Sequence, residues 1–216
     1  FIHTTNTDGL HLRSGCSSDQ ILEVHGSMWR LQCLKPCTHQ FWEDLAVPLC
    51  DLDTVTMKAS HYPICKRCRG IARPHILMFG DGEYTGHPEQ EKNFKHFLQD
   101  PPDLVILVGS SGAVPTNDYI ALHFMERGTP VININLDPSS NHIVNTDCFI
   151  EMKGKEAFLQ LDRISWGGKV EACHFSAKFS GLILYSRESK MYSILSKILS
   201  LKIMKPVAPF LSRKIF

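Results

Sequence analysis

The chain has 216 residues, 43% of them hydrophobic and 21% charged, ordinary for a folded protein and too apolar for a disordered one. That length builds one large domain, or one domain with a small module, and the lack of an apolar run of about eighteen residues argues against a membrane-spanning helix. The net charge of +1 hides an asymmetry. Of the 23 Lys and Arg and the 22 Asp and Glu, nine and two fall in 165–216, so that segment carries +7 and the rest −6. Composition therefore changes near Ser165, and so basic a segment reads first as a solvated extension. Four of the eight cysteines form two tight pairs, and no secretory signal precedes them. Metal-bound thiolates in a reducing compartment fit this better than disulfides, and the expected location is the cytoplasm, with nucleus and mitochondrion left open. The sequence opens at Phe1 in what reads as mid-strand, so a truncated chain is expected.

In chain order, Phe1 to Thr5 is β-like and Asn6-Thr7-Asp8-Gly9 is a turn, followed by a short helical stretch and a brief strand over Ile21 to Val24. Residues 28–74 hold both cysteine pairs in irregular polar sequence with too few apolar side chains for a core, so a metal is needed there. An α/β rhythm follows. Ile76 to Phe79 reads as a buried strand, Pro88 to Gln99 as a helix, and Asp103 to Val108 as a central parallel strand covered on both faces. A helix over Asn117 to Arg127, stopped by Gly128, leads to strands at Val131 to Asn135 and Cys148 to Met152, then a helix over Lys155 to Asp162. The expected fold is α/β: a Rossmann-like parallel sheet with helices on both faces and a small inserted zinc ribbon. The expected division is 1–27 with 75–164 as the nucleotide-binding domain, 28–74 as the zinc module, and 165–216 as a basic extension.

Cys33 and Cys37, then Cys65 and Cys68, have the spacing of two thiolate pairs that close a tetrahedral Zn²⁺ shell. With no vacant position such a metal is structural. Cys50, His39 and His61 lie between the pairs and read as bystanders. Gly109-Ser110-Ser111-Gly112 joins a buried strand to a helix, where backbone N–H groups and hydroxyls approach a ribose or phosphate; a tight βα turn needs glycine in any case. Asp137, just past the next strand, is placed either to meet an adenosine ribose or to make an Asp-Pro turn. His25 is a candidate general base because imidazole titrates near neutrality, and Asn6 and Asp8 taken alone are turn formers.

Together these residues resemble the sirtuin family of NAD-dependent protein deacylases. Thr5-Asn6-Thr7-Asp8-Gly9-Leu10-His11 is similar to that family's T-Q-N-I-D-G-L-H, and Leu22 to Ser27 to its L-x-x-H-G stretch, with His25 at the catalytic histidine. Arg73 to Asp81 resembles R-P-x-V-V-x-F-G-E, while Gly109-Ser110-Ser111 and Ile134-Asn135 resemble the G-T-S and I-N nucleotide contacts. The likeness runs to about Ile164. It implies attack of an acyl-lysine carbonyl on the nicotinamide ribose, release of nicotinamide, His25 as base on the ribose hydroxyls, and acyl-ADP-ribose as product. It further implies that Asn6 and Asp8 position the nicotinamide-ribose end of NAD, and that Ser110, Ser111, Asn135 and the Gly154-Lys155 turn hold the adenosine end, with Gly109 opening the serine turn; Asp137 stays open between ribose contact and turn. An acyl-lysine protein or peptide would add as a strand beside Ile76 to Gly80, with Ile76 and Phe79 lining the acyl-lysine tunnel and Gly80 closing the segment.

The family's G-A-G-x-S and P-x-F-R segments are not present, so weakened NAD binding and an exposed sheet edge are expected. Thr5 stands for a glutamine, Asp81 for a glutamate and Gly112 for a leucine. Two alternatives are NAD hydrolysis or ADP-ribosyl transfer at the same site, and a non-catalytic zinc-ribbon interaction protein. For the last, Lys190 to Lys205 has the spacing of a basic amphipathic helix for an acidic partner or membrane surface.

Overall fold

The β-like start becomes a short strand, Ile2–Thr4 (β1), in the computed structural model, which describes residues 1–37, 40–43, 51–141, 143–166 and 181–185. The chain divides into one unit of His3–His96 and another of Phe1–Ile2 with Phe97–Phe216. In the first, a single helical turn, Leu10–Arg13 (α1), leads through a 3₁₀ turn at Ser18–Gln20 to Ile21–Glu23 (β2), which lies beside β1; the Val24 N–H donates to the Thr4 carbonyl at 3.0 Å.

The polar block then starts not as irregular chain but as the eight-residue strand Gly26–Cys33 (β3), antiparallel to Trp42–Glu43 (β4) on one side and Ala72–Ile76 (β5) on the other. Polarity concealed this strand. Arg30 and Gln32 are buried, yet Arg30 Nη2 reaches Glu23 at 2.7 Å, and Gln32 Nε2 donates to the Glu83 carbonyl at 2.7 Å while its Oε1 accepts from the Thr85 N–H. Buried polar groups are tolerated where partners satisfy them. At the other end, β5 stops at Ile76 instead of running from Ile76 to Phe79. The chain turns out at Gly80, where φ is +71°, pinned by the ion pair of Arg73 with Asp81 at 2.6 Å, so Phe79 is 93% exposed rather than buried. The helix Pro88–Phe97 (α2) buries Gln90, whose Oε1 accepts from the Glu23 N–H, and Phe94.

The second unit follows the expected βαβ rhythm. Leu104–Val108 (β6) is buried at every position, as a central strand requires. After the helix Thr116–Met125 (α3), Val131–Asn135 (β7) pairs parallel to β6, and Cys148–Glu151 (β8) pairs parallel to β7. Leu104, Ile106, Val108, Ile132, Ile134 and Cys148 form a core with Ala157 of the closing helix, Gly154–Trp166 (α4), flanked by Ile150, Met152 and Phe158. Each fully buried Leu, Ile or Val among them contributes about 1.5–3 kcal/mol by leaving water.

The exposed sheet edge expected from the sequence is not found at β6, because Gly181–Tyr185 (β9) lies along that strand antiparallel, pairing Leu104 with Tyr185 and Val108 with Gly181. Gly-Leu-Ile-Leu-Tyr is a short apolar run of the kind that completes a sheet edge. The sheet is therefore mixed, and part of the basic 165–216 segment belongs to the fold. Lys190 to Lys205, Cys50 and His39 lie outside the described residues.

Candidate functional site

Four thiols converge where β3 ends. Cys33 is its last residue, Cys37 follows within a turn, and the Cys65–Cys68 knuckle is closed by Cys65 N–H to Gly70 carbonyl (2.8 Å) and Arg69 N–H to Cys65 carbonyl (2.9 Å). All four Sγ atoms lie within 4.8 Å of one another, with Cys33–Cys37 at 3.4 Å, Cys33–Cys68 at 3.7 Å and Cys37–Cys65 at 3.9 Å. Thiolates at about 2.3 Å from a tetrahedral zinc sit about 3.8 Å apart. The donor set and spacing thus fit a closed structural Zn²⁺ site. The Arg67 N–H donates to Cys65 Sγ and the Gly70 N–H to Cys68 Sγ, each at 3.4 Å. Burial pushes the Cys33 thiol up to about 12, whereas the backbone of Cys68 helps pull Cys65 down to about 6. Such a crowd of sulfurs is stable as thiolate only around a cation. His61 is exposed and its Nδ1 faces Ser60 Oγ at 3.0 Å, away from this shell.

His25 sits on the turn between β2 and β3. Gly26, at φ +80°, makes that turn possible, since a Cβ there would lie 2.1 Å from the His75 carbonyl oxygen. The His25 carbonyl accepts from the Leu77 N–H at 3.0 Å, tying the histidine to the end of β5. Burial lowers the His25 pKa below the ordinary histidine value, only partly offset by a hydrogen bond to the Thr5 backbone. Burial thus favours the neutral imidazole, the form that accepts a proton, and its bond to the Thr5 backbone lies next to the loop that carries Asn6 and Asp8.

That loop has a clear framework. Asn6 N–H donates to Thr4 Oγ1 (3.1 Å), Asp8 Oδ1 accepts from the Leu10 N–H (3.0 Å), and Met28 N–H donates to the Thr7 carbonyl (2.8 Å). Trp29, missed in the sequence, fixes it: its Nε1 donates to the Asp8 carbonyl at 2.7 Å, and Arg13 stacks over its ring at 5.3 Å. The signal for Trp29 was its place four residues past His25 on a strand hidden by polar residues. Ile76 ends β5 half-buried, and Phe79 and Gly80 stand exposed beyond it.

The second unit holds the other candidates. Gly109, at φ +57°, turns the chain at the end of β6 and donates its N–H to the Ile134 carbonyl (2.9 Å). Ser110 is half-buried and Ser111 exposed. Asn135, at the end of β7, donates from Nδ2 to the Ser110 carbonyl at 2.6 Å, so two strand ends meet at this turn. Asp137 is exposed and its Oδ1 accepts from the Ser139 N–H (2.9 Å) and Oγ (2.7 Å), which holds its pKa below the usual carboxylate range and matches the turn reading. Lys155 is exposed in the first turn of α4.

A cysteine quartet spaced for zinc in one unit and a parallel βα arrangement in the other define an α/β protein with a small metal-fitted module. The Sir2 family profile matches residues 1–116, and the chain belongs to the Sir2 family. It is 32% identical over 158 residues to NAD-dependent protein deacylase 2 of Pyrobaculum aerophilum, covering 73% of this chain and 56% of that protein. It is 31% identical over 161 residues to the NAD-dependent protein deacylase of Aeropyrum pernix, covering 74% and 58%. The chain thus spans somewhat more than half the length of these relatives. Among solved structures, a Sir2 homologue mutant in complex with 2′-O-acetyl ADP ribose superposes with a TM-score of 0.55 at 25% identity, covering 74% of this chain and 57% of that one. A Sir2 structure with a p53 peptide and NAD⁺ shares the fold at a TM-score of 0.53 and 23% identity.

Proposed function

We propose that this Sir2-family chain acts as an NAD-dependent protein-lysine deacylase. The observation that carries the reading is His25: a histidine on the turn before β3, tied through its carbonyl to Leu77, bonded to the Thr5 backbone ahead of Asn6 and Asp8, and with its pKa lowered by burial. NAD, when bound, supplies nicotinamide as a leaving group and a ribose as the acyl acceptor. His25 takes the proton from a ribose hydroxyl at its imidazole nitrogen. Asn6 and Asp8, on the loop braced by Trp29, orient the nicotinamide-ribose end. Gly109, Ser110, Ser111, Asn135, Asp137 and Lys155 serve the adenosine end, where the strand-end turn offers N–H groups and hydroxyls. The acyl-lysine segment of a protein or peptide pairs beside Ile76 to Gly80, and exposed Phe79 supplies apolar contact to the acyl chain.

The two relatives are NAD-dependent protein deacylases and the Sir2 homologue was solved with 2′-O-acetyl ADP ribose, which supports NAD and an acylated protein or peptide as reactants. The basic 165–216 segment, at +7, carries a secondary proposal of contact with an acidic surface, tested by salt-sensitive binding to anionic vesicles. No helix among the described residues is long and apolar enough to cross a membrane; the proposed compartment is the cytoplasm, where the cysteine quartet keeps its thiolates. The test of the main reading is incubation with NAD in the presence and absence of an acetyl-lysine peptide. Nicotinamide and deacetylated peptide are expected in equal amounts, only when both reactants are present. NAD consumption that ignores the peptide would instead assign the site to NAD hydrolysis or ADP-ribosyl transfer.

A further inference from the structure

The turn after β6 is held by groups that its own sequence does not announce. Asp118, in the first turn of α3, has no exposed surface, and Asn141 is 1% exposed. Asn141 Nδ2 donates to Asp118 Oδ1 at 2.5 Å, while the Asn141 backbone N–H donates to the Ser111 carbonyl at 3.3 Å. Asn141 adopts a left-handed φ of +55°, which asparagine tolerates better than most residues. The Ser110 carbonyl is meanwhile held by Asn135 Nδ2 at 2.6 Å. Both carbonyls of the serine pair are therefore fixed by asparagines that follow from β7, one at its end and one six residues on. Among the described residues Ser110 Oγ has no hydrogen-bond partner, so its hydroxyl remains available to a ligand.

Gly112 lies inside this arrangement. Its φ is +73°, and a Cβ there would sit 2.8 Å from Asp118 Oδ2 and 3.0 Å from the backbone N and Cα of Asn141. Those distances leave no room for any other residue without moving the carboxylate or the backbone that holds Ser111. A fully buried carboxylate costs several kcal/mol unless hydrogen-bonded, and it gains from the positive end of a helix. Here it spends that cost on a fixed point next to the turn. The arrangement continues under the strand, where Asn133 Nδ2 faces Ser140 Oγ at 3.4 Å.

We propose that Asp118, Gly112 and Asn141 form a clasp that presets the Ser110–Ser111 turn for the adenosine-ribose end of an ADP-ribose moiety. Asp118 and Asn141 are positioning residues: they touch the turn, not the nucleotide. The proposal rests on the assignment of Ser110 and Ser111 to the nucleotide. Loss of either the Asn141 side chain or the Gly112 clearance lets the turn relax, which weakens nucleotide binding and leaves the proton-accepting step at His25 untouched.

The probe is ADP-ribose, titrated calorimetrically into the full chain and into Asn141→Ala, Gly112→Ala and Asp118→Asn, with the melting temperature of each variant as the folding check. Asn141→Ala and Gly112→Ala are expected to weaken ADP-ribose by roughly ten-fold or more, the scale of one or two buried hydrogen bonds. Asp118→Asn keeps an Oδ1 acceptor for Asn141 and is expected to lose less than either. In turnover the same variants raise KM for NAD while kcat and KM for the acyl-peptide hold, a split that general loosening of the fold would not produce. If Gly112→Ala does not fold, Asn141→Ala, which only removes atoms, decides the matter. Unchanged ADP-ribose affinity in folded Asn141→Ala overturns the clasp. Absence of ADP-ribose binding by the unmutated chain overturns the nucleotide assignment beneath it, a distinct outcome.

Discussion

Around β6 and β7, Val105, Leu107 and Val131 have no exposed surface, whereas between the cysteine pairs Val55, Met57 and Tyr62 are 90%, 69% and 55% exposed. The two regions keep their shape by different means. Strands β6, β7 and β8 exclude water with branched aliphatic side chains that need nothing else. The 51–71 segment has isolated bridges, Leu52 with Ala59 and Ile64 with Ile71, and its apolar residues face solvent. Its order comes from sulfur: apparent metal-binding energies of about 10–16 kcal/mol in zinc-finger peptides exceed what a handful of apolar contacts supply. The residues proposed to hold the nucleotide thus stand on an apolar core, while β3, which follows His25, ends on Cys33 in the thiol cluster with Ala72 of β5 paired beside it.

The largest expected effect follows directly. Chelation, or Cys65→Ser, should abolish amide protection across 51–71 and at the Cys33–Ala72 end of the β3–β5 pair, while β6 and β7 keep theirs. Hydrogen exchange by mass spectrometry beside a zinc assay reads both halves at once. Full protection of 51–71 without metal would erase the contrast between the regions.

A smaller effect comes from His75, buried between Phe41 and Tyr84, with ring centroids 4.4 and 4.9 Å away. Its Nε2 donates to the Thr85 carbonyl, but its Nδ1 is buried without a partner. Burial first, then nearby Arg30 and the His87 side chain, lower its pKa to about 4. The unfolded chain binds that proton near pH 6.5 and the folded chain only near pH 4. Stability from His75 is therefore complete above pH 6.5 and declines as pH falls towards 4. The melting temperature of the His3–His96 unit should drop over that window, and His75→Gln should flatten the pH dependence. An unchanged slope in His75→Gln would assign the acid sensitivity elsewhere.

Much of this was legible beforehand, and for identifiable reasons. The β6 strand announced itself because every residue from Leu104 to Val108 is apolar, and the cysteine quartet because paired spacing has few other uses. Strand β3 was not legible, since Arg30 and Gln32 break the apolar pattern and only partners 7 and 51 residues distant in sequence, at Glu23 and Glu83, make their burial affordable. The end of β5 was misplaced because Leu77, Met78 and Phe79 look like core, and only the Arg73–Asp81 pair and the turn at Gly80 send them outward. Strand β9 was hidden in a segment whose charge suggested solvent. In the proposed site, His25 and the serine turn carry a local sequence pattern, but Trp29, Asp118 and Asn141 are engaged through distant neighbours and leave none.

The central claim is that His25 performs proton transfer in an acyl-lysine-dependent cleavage of NAD. The most direct measurement is mass spectrometry of nicotinamide and deacetylated peptide from the unmutated chain and from His25→Ala, across a pH series. The account predicts coupled products whose formation persists below pH 6.5, because burial depresses the His25 pKa, and a loss of roughly a hundred-fold or more in the variant. Equal yields from His25→Ala and the unmutated chain would contradict it.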